Sequence, residues 1–348
     1  MRPTPREKAE NREALLCDLA AKSRHHRGRE GEASRCPART AYQVDCHRIV
    51  HSKAFRRLRG KTQVFLWPEG DHYRTRLTHC QEVSQIARTL SRALDLNEDL
   101  TEAIALGHDL GHTPFGHAGE EVMQRLVPKG FRHEQQSLRV VEKLENGGKG
   151  LNLTLDVRDG IRHHSKGAGP LIPTADTKLP FTLEGQVVRL ADVVAYVNHD
   201  LDDAIRAKVV TPSDLPAHLF EVLGENHSKR ITSLVLDILA HTDFEKRPMV
   251  LMGEACLDAL ETLRRFLYEN VYFNPRVLCE FDRARALLEH LFEHFTMDFD
   301  RFYDRFWPSA KQDGDPVDDV RDFVAGMTDA FAVNLHEKIF TPRRWYVL

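Results

Sequence analysis

The chain has 348 residues, of which 41% are hydrophobic and 29% are charged, as is usual for a globular protein with a large core. Its formal net charge of −3 excludes a global attraction to nucleic acid or anionic lipid, so any phosphate binding must depend on a few local cations. The six cysteines form no CxxC pair, and no apolar stretch is as long as a membrane span, which predicts a reduced, cytoplasmic protein that does not enter membranes.

A dense basic strip at 53–61 is the first feature along the chain, and Arg74 and Arg76 follow it. An arginine guanidinium group can donate two parallel hydrogen bonds to phosphate oxygens. Clusters of basic residues are, however, more often solvated or salt-bridged surface. Arg76 is the exception, because it lies one turn before His79 on a predicted helix and should project beside it.

Apolar residues recur at helical spacing along most of the chain and strand signals are scarce, so the predicted fold class is mostly α. One helix covers about 77–94 and carries His79 near its start. The next begins at the N-cap residue Asn97 and runs into Asp109, after which Gly111 ends it. Three further helices are predicted at about 117–127, 134–146 and 153–165.

The segment 106–120 combines three histidines and two acids with four glycines and a proline. A core helix does not require this composition. Imidazole and carboxylate ligands that converge on one ion above a tight backbone turn do require it. The segment therefore predicts a metal site with catalytic groups beside it.

The stretch 167–181 is rich in glycine and proline and is predicted to be an irregular loop of lid length.

A long helix follows, because apolar residues at alternating steps of four and three form a buried seam from Leu183 to Leu201. Such a helix usually has a solvated second face, but here an aromatic ring, an arginine and several acids favour the wall of a cleft. The residues of this face are Arg189, Asp192, Tyr196, His199, Asp200 and Asp203. From about 212 onwards the chain is again predicted to be helical, with a polar break at 309–316.

Four residues on predicted helices form the candidate metal set, namely His79, His108, Asp109 and Asp192. Each alone is better explained as a satisfied structural residue, whereas the four together are not. Two imidazoles and two carboxylates suit Mg, Mn, Fe, Co or Ni, and zinc is the alternative.

A second group of ionisable residues suits proton transfer. His117 and Glu120 are three residues apart, so the carboxylate can orient the imidazole for acid and base catalysis. The alternative is that Glu120 only stabilises the start of a helix. His133 opens the next helix, either as a further imidazole of the site or as a residue of its first turn.

These residues resemble the HD superfamily of metal-dependent phosphohydrolases, and within it the deoxyguanosine triphosphate triphosphohydrolase branch. The matching segments occur in the family's order and cover roughly the first 205 residues, with a looser match at LRRFLYENVY (263–272). The segments are RLRGKTQVF (57–65), RTRLTHCQEV (74–83), GHDLGHTPFGHAGE (107–120), FRHEQQS (131–137) and RLADVVAYVNHDLDDA (189–204). The resemblance implies an all-helical HD-domain fold with additional C-terminal helices. We expect an N-terminal segment at 1–66, a phosphohydrolase core at 67–210 and a helical region at 211–348 packed on that core.

The resemblance also implies a reaction, the hydrolysis of a dNTP to a deoxynucleoside and inorganic triphosphate. By position, the ligands of a divalent metal ion are His79, His108, Asp109 and Asp192. Contacts to the triphosphate come from Arg76, His112 and His133, and contacts to the deoxyribose, which exclude a 2′-hydroxyl, come from Gln63, Tyr196 and Asp200. We expect water to attack the α-phosphorus and the sugar 5′-oxygen to leave, with His117 and Glu120 transferring protons.

Some relatives have a lysine directly after the last metal aspartate, where this chain has Val193, so one phosphate contact is absent or comes from elsewhere. The resemblance further implies a homo-oligomer, either a tetramer or a hexamer. Two other functions are considered. One is an HD-type nucleoside monophosphate phosphatase or phosphodiesterase, and the other is a dNTP-sensing protein that binds single-stranded nucleic acid through the basic strip. The segments FRHEQQS and AYVNHD favour the dNTP substrate, because a general HD site does not require them.

Overall fold

A computed structural model describes residues 2–66, 72–165, 169, 171, 177–308 and 314–342, and within these ranges the regular structure is helical. An isolated antiparallel bridge joins Thr62 to Thr75, and the described residues form no sheet. The predicted mostly α fold class is thus confirmed. The predicted lid loop at 167–181 and the break at 309–316 lie largely outside the described residues. No helix in the described ranges is long and apolar enough to cross a bilayer.

The helices of the first two thirds of the chain agree with the predicted ones in most places. Asn97 caps its helix as predicted, since its side chain accepts hydrogen bonds from the backbone of Asp99 and Leu100. The helices are α1 (Pro5–Arg12), α2 (Ala41–Val50), α3 (Lys53–Arg57), α4 (Arg76–Ala93), α5 (Glu98–Gly107), α6 (Gly116–Leu126), α7 (His133–Arg139), α8 (Glu145–Gly148), α9 (Leu155–His163) and α10 (Leu183–Arg206).

The helix predicted at 134–146 is shorter than expected. α7 ends at Arg139 and continues as a π-helical turn, Val140–Leu144, before the short α8. Within α8, Asn146 and Gly147 have positive φ angles of 54° and 65°, which a regular helix cannot contain. The helical spacing of apolar residues continues past Arg139, whereas the α-helical backbone does not, and this is why the predicted helix was too long.

The remaining helices confirm the predicted helical C-terminal region. They are α11 (Ala217–Val222), α12 (His227–His241), α13 (Glu254–Leu267), α14 (Pro275–Met297), α15 (Phe299–Arg305), α16 (Pro316–Ala325) and α17 (Asp329–Phe340). A second π-helical turn, Tyr268–Tyr272, extends α13. All six cysteines are unpaired.

The central element is α10, which packs against α4, α5, α9, α12 and α13. Its apolar seam is buried, and so is most of its polar face, because Arg189, His199, Asp200 and Asp203 are each less than 5% exposed. The solvated alternative for this face is therefore wrong. A second apolar cluster joins α6 to the C-terminal helices, with Val122 and Met123 among its buried residues. These two cores meet around the turn that connects α5 to α6.

That turn, between Gly107 and Gly116, approaches its neighbours too closely for side chains at some positions. A Cβ atom on Gly111 would lie 2.1 Å from the backbone nitrogen of Ser137 in α7. A Cβ atom on Gly119 would lie 2.1 Å from the carbonyl oxygen of Pro114. Phe115 itself has a φ of 61°, which is rare for a residue with a large side chain. The glycines thus let α6 and α7 close around the segment that carries His108 and Asp109.

Candidate active site

The four predicted metal ligands lie together between α4, α5 and α10. Nε2 of His79 is 3.3 Å from Nε2 of His108 and 3.2 Å from Oδ1 of Asp192. Asp109 completes the group, since its Oδ1 is 3.5 Å from Nε2 of His108 and its Oδ2 is 3.8 Å from Nε2 of His79. His79, His108 and Asp109 are almost wholly buried, whereas the side chain of Asp192 is 20% exposed.

The hydrogen bonds of the two histidines orient their Nε2 atoms toward each other. Nδ1 of His108 lies 2.7 Å from the carbonyl oxygen of Ala105 and therefore carries the proton. Nδ1 of His79 lies 2.9 Å from Nε2 of the buried His199 and donates to it. Both Nε2 atoms then face the same space as the two carboxylates. Burial lowers the pKa of His79, but the hydrogen bond to Asp192 outweighs it and raises that pKa, and a metal ion bound here would take the place of the shared proton. Donors about 2.0–2.2 Å from one ion are roughly 3–3.5 Å apart, so these four residues fit a divalent metal.

Both carboxylates of this group are ionised at neutral pH. Burial raises the pKa of Asp109, but His108 and the Arg76 guanidinium outweigh it and hold that pKa well below its usual range. Burial also opposes the ionisation of Asp192, whose pKa is nevertheless lowered by the hydrogen-bonded His79 and by His108. A metal ion bound here would meet two negative charges.

A row of buried polar groups leads away from His79 along α10. Nδ1 of His199 lies 2.7 Å from Oδ1 of Asp200, and Oδ2 of Asp200 accepts a hydrogen bond from the hydroxyl of Tyr272. The helical spacing already placed His199 on the polar face of α10, but no local signal linked it to His79. That contact joins residues 120 positions apart, and such pairs become visible only in the folded chain.

Arg76 combines an orienting bond with donors that lack partners. Its Nη1 donates to Oδ2 of Asp109 at 2.6 Å. Its Nε and Nη2 are buried and have no hydrogen-bond partner among the residues that the structure describes. Buried guanidinium donors are rarely left unpaired, and phosphate oxygens match their geometry. The arrangement indicates an anion-binding group directly beside the candidate metal ligands.

Both ring nitrogens of His133 face acceptors, so this side chain is an imidazolium. Its Nδ1 lies 3.0 Å from Oε1 of Glu120, and its Nε2 lies 3.2 Å from Nε2 of His164. His164 accepts there because its own Nδ1 donates to the carbonyl oxygen of Ile161. Burial opposes the charge, but Glu120 prevails and raises the pKa of His133 to about 9. The same pairing, against the effect of burial, lowers the pKa of Glu120 to about 2.

Glu120 thus bonds to His133 rather than to its predicted partner His117. The backbone N–H of His133 also donates to Oε1 of Glu120, at 2.9 Å. No hydrogen bond joins His117 to Glu120 in this structure, although their charges interact. The spacing of three residues predicts that Glu120 pairs with His117. In the structure α7 packs close by, and its first residue, His133, pairs with Glu120 instead. A joint catalytic role of His117 and Glu120 remains a prediction.

His117 keeps an exposed side chain, although other site residues surround it. Its ring centroid is 6.1 Å from that of His112 and 6.3 Å from that of Tyr272. Partial burial and the charge of Arg76 lower the pKa of His117, so the ring is neutral at pH 7. A neutral imidazole has a lone pair that can accept a proton.

His112 is enclosed on the same side of the site. Its ring stacks on that of His133, with centroids 4.4 Å apart and 16° between the planes. Burial and the Arg76 guanidinium hold the pKa of His112 well below its usual range, so this ring is neutral too. The structure therefore brings together all three predicted triphosphate contacts, namely Arg76, His112 and His133.

The three residues predicted to contact the sugar are buried or half-buried, and two of them, Tyr196 and Asp200, stand with Asp192 on α10. Gln63 is 7% exposed, and its side-chain oxygen has no hydrogen-bond partner in the described part of the chain. Tyr196 is half-buried on α10, and burial raises its pKa. Asp200 is buried beside Tyr272, a tyrosine with no predicted role, which thereby joins the site.

Two further residues support the turn between α5 and α6 from a distance. Asp329, at the start of α17, accepts hydrogen bonds from the backbone of Phe115 and from the backbone and hydroxyl of Thr62. Lys61 is buried, and its Nζ donates to the carbonyl oxygens of His112 and Ala325. The sequence does not predict a role for Asp329 or Lys61. Their contacts depend on how the C-terminal helices pack against the rest of the chain.

Two family models match the chain: the HD domain matches residues 76–197, and the phosphohydrolase-associated domain matches residues 250–338. Three similar proteins share the description deoxyguanosinetriphosphate triphosphohydrolase-like protein. The one from Caldanaerobacter subterraneus subsp. tengcongensis is 52% identical over 332 residues, which cover 95% of this chain and 94% of the relative. The one from Desulfatibacillum aliphaticivorans is 50% identical over 346 residues, covering 97% and 99%. The one from Clostridium perfringens (strain 13 / Type A) is 45% identical over 342 residues, covering 97% and 98%.

Proposed function

The chain belongs to the family of deoxyguanosinetriphosphate triphosphohydrolase-like proteins, and on this premise we propose that it hydrolyses dNTPs to a deoxynucleoside and inorganic triphosphate. Membership of the HD-domain phosphohydrolases establishes the broader class of reaction. The substrate, the products and attack at the α-phosphorus are our proposal. Assembly into a tetramer or hexamer likewise remains a prediction.

The observation that carries the proposal is the pair of cations beside the metal ligands. Arg76 has two buried donors without partners among the described residues, and His133 is held as an imidazolium by Glu120. Together they offer fixed positive charge within a largely buried site, where a triphosphate carries several negative charges. Glu120 then acts as a positioning residue that keeps His133 charged.

The metal would be held by His79, His108, Asp109 and Asp192, and when bound it would supply Lewis-acid activation of the phosphate oxygens. His117 is the exposed neutral imidazole next to these groups. We assign it the transfer of a proton between the attacking water and the leaving 5′-oxygen. Arg76 and His133 offset the charge that develops on the phosphoryl oxygens.

The sugar side of the site supports a deoxynucleotide. Gln63 offers a buried acceptor oxygen without a partner in the described structure, which suits a hydroxyl donor of the sugar. Tyr272 and Asp200 are bonded to each other beside His117, so they form a closed polar edge rather than two separate contacts. We assign to this edge, with Tyr196, the exclusion of a 2′-hydroxyl.

The decisive experiment is product analysis. Purified protein, first stripped of metal with EDTA, is incubated with each dNTP, with dNTP mixtures, with rNTPs and with dNMPs, in Mg, Mn or Co. We expect inorganic triphosphate and free deoxynucleoside from one or more dNTPs. In ¹⁸O-labelled water the label should enter the triphosphate and not the nucleoside. Release of orthophosphate or of a nucleoside monophosphate would contradict the proposal and favour a phosphatase or phosphodiesterase. Label in the nucleoside would also contradict it, because it would indicate attack at the 5′-carbon rather than at the α-phosphorus.

Two variants with matched controls locate the chemistry. Asp109→Ala should abolish triphosphate release and metal binding, whereas Asp300→Ala, an exposed acid on α15, should change neither. His117→Ala should lower kcat by about 10²- to 10⁴-fold, the usual contribution of a general acid or base. His218→Ala, an exposed histidine on α11, is its control. Wild-type turnover in either site variant would show that the assignment is wrong.

A further inference from the structure

A second electropositive site lies in the N-terminal region, between the segment that follows α1 and the start of α2. It is a pocket of about 230 Å³, and none of the residues of the candidate active site lines it. One glutamate, Glu10, lines the pocket together with six arginines, which are Arg6, Arg24, Arg29, Arg35, Arg39 and Arg48. This excess of positive charge contrasts with the chain's net charge of −3.

Three of the arginines are paired with two acids. Arg6 and Arg24 share Glu10, with Nε of each lying 3.3 and 3.2 Å from its carboxylate oxygens. Arg29 pairs with the buried Asp45 and also donates to backbone carbonyl oxygens. These bonds fix the walls of the pocket.

The other three arginines have no acidic partner among the described residues. Arg48 donates to the carbonyl oxygens of Leu151 and Asn152, and Arg39 bonds to a cysteine and to His47. Arg35 is exposed. Arg29 and Arg48 donate to the same carbonyl oxygen, that of Asn152, so their guanidinium groups lie side by side. Burial lowers the pKa of Arg48, and Arg29 and Arg39 lower it further although Asp45 opposes them. An anion bound between these arginines would relieve the repulsion of their charges.

Cys36 lies in the wall of the pocket beside Arg39. Nε of Arg39 donates to Sγ of Cys36 at 3.4 Å. This bond and the backbone N–H groups of Ala38 and Arg39 lower the pKa of Cys36 to about 7. The thiol therefore reports on the charge and the accessibility of the pocket.

We propose that this pocket binds the phosphate groups of a small free polyphosphate, at a site separate from the candidate active site. Arginine is the side chain best suited to bind phosphate through paired N–H groups. The volume of about 230 Å³ lies below the roughly 300–1,000 Å³ of pockets that enclose drug-sized ligands, which favours inorganic pyrophosphate or triphosphate over a larger molecule. The proposal rests on the pocket alone and does not depend on the proposed function.

The test follows the alkylation of Cys36 by iodoacetamide in the full-length reduced protein, measured by peptide mass spectrometry at pH 7. Pyrophosphate or triphosphate is added against sodium chloride of equal ionic strength, and the exposed Cys279 is the internal control. A ligand at ten times its Kd should slow the alkylation of Cys36 about tenfold and leave Cys279 unchanged. The readout is local, so binding of triphosphate at the candidate active site does not affect it.

Arg35→Ala should shift the ligand concentration for half-protection upward by about three- to tenfold, since it removes an exposed cation without an acidic partner. Arg59→Ala, an exposed arginine outside the pocket, should not shift it. No protection beyond that of sodium chloride would overturn the proposal, and so would an unchanged ligand concentration for half-protection in Arg35→Ala. Protection by a single-stranded oligonucleotide but not by the free polyphosphates would also overturn it, in favour of nucleic-acid binding.

Discussion

His133 shows how a single charge in the site depends on its neighbours. Its two nitrogens face a carboxylate and the unprotonated nitrogen of His164, so the proton is held from both sides. The pKa shifts of the pair have a definite sign. The pKa of Glu120 is lowered to about 2, so this group stabilises the fold at pH values above its usual pKa. That stabilisation is lost as the pH falls through 2. The pKa of His133 is raised to about 9, so this group stabilises the fold at pH values below its usual pKa. That stabilisation is lost as the pH rises through 9.

The first prediction concerns this pair. Glu120→Gln should lower the free energy of unfolding by up to about 3 kcal/mol, because it leaves a buried imidazolium without its anion. The loss should be greatest between pH 4.5 and 6.5, where both groups are charged in the folded and the unfolded chain, and should shrink above pH 9. Urea unfolding at several pH values, in EDTA, measures it. Glu121→Gln, an exposed neighbour, is the control, and a loss that does not vary with pH would contradict the pairing.

The second prediction concerns His199, which contacts Nδ1 of the candidate metal ligand His79. His199→Phe removes the acceptor for Nδ1 of His79 and should weaken metal binding by about 10- to 100-fold, as is usual for groups behind a ligand. Titration of the metal-free protein with Mn²⁺, followed by electron paramagnetic resonance, gives the affinity. His199→Gln keeps an acceptor and should restore most of it. Equal affinity in the wild type and in a folded His199→Phe would show that His199 does not position His79.

The sequence could predict which residues form the candidate metal set, but not how they are bonded. His79, His108, Asp109 and Asp192 stand on regular helices, so their spacing locates them. The partner of Glu120 depends instead on α7, whose first residue arrives 13 positions later in the chain. Spacing along one helix cannot predict whether Glu120 pairs with His117 or with His133, because His133 belongs to another helix.

At the scale of elements, the close contact of α6 with the turn before it sets the position of His117. This contact is possible because Gly119 has no side chain, and a Cβ atom there would also lie 2.7 Å from Oγ1 of Thr113. The composition of 106–120 indicated a tight turn, and the structure confirms one. The reversal after α7 was not predictable, because the apolar spacing of 134–146 does not reveal the left-handed residues within α8.

The third prediction tests this contact. Gly119→Ala should lower the free energy of unfolding by about 1–3 kcal/mol, because backbone atoms rather than flexible side chains must move. It should also reduce turnover, since α6 carries His117. Gly314→Ala is the control, because a Cβ atom there meets nothing within 4 Å. Thermal unfolding and product assays measure both effects. A Gly119→Ala protein as stable and active as Gly314→Ala would show that the contact has no such role.

At the scale of the whole molecule, the C-terminal helices are part of the site's support. Asp329 is 214 positions from Phe115 and 267 positions from Thr62, and it bonds to both. The helical periodicity could predict α17 but not this docking, which depends on the apolar cluster that joins α6 to α14, α16 and α17. The all-helical class was therefore accessible from sequence, whereas the arrangement of its two cores was not.

The fourth prediction follows from this contact. Asp329→Ala leaves two backbone N–H groups without their acceptor and should cost about 2–4 kcal/mol of stability. It should also lower kcat, because Phe115 lies between His112 and His117. Asp329→Asn, which retains one acceptor oxygen, should have about half the effect. Asp300→Ala controls for loss of an acid in the same region. Unchanged stability and turnover in Asp329→Ala would contradict a supporting role for α17.

The same contact orders events during synthesis of the protein. The ribosome makes Phe115 long before Asp329, so a nascent chain already contains the four candidate metal ligands while the turn between α5 and α6 lacks its anchor. A residue with a left-handed backbone and a large side chain does not hold that conformation without support. We therefore expect the proposed hydrolysis to begin only after α17 has left the ribosome and docked.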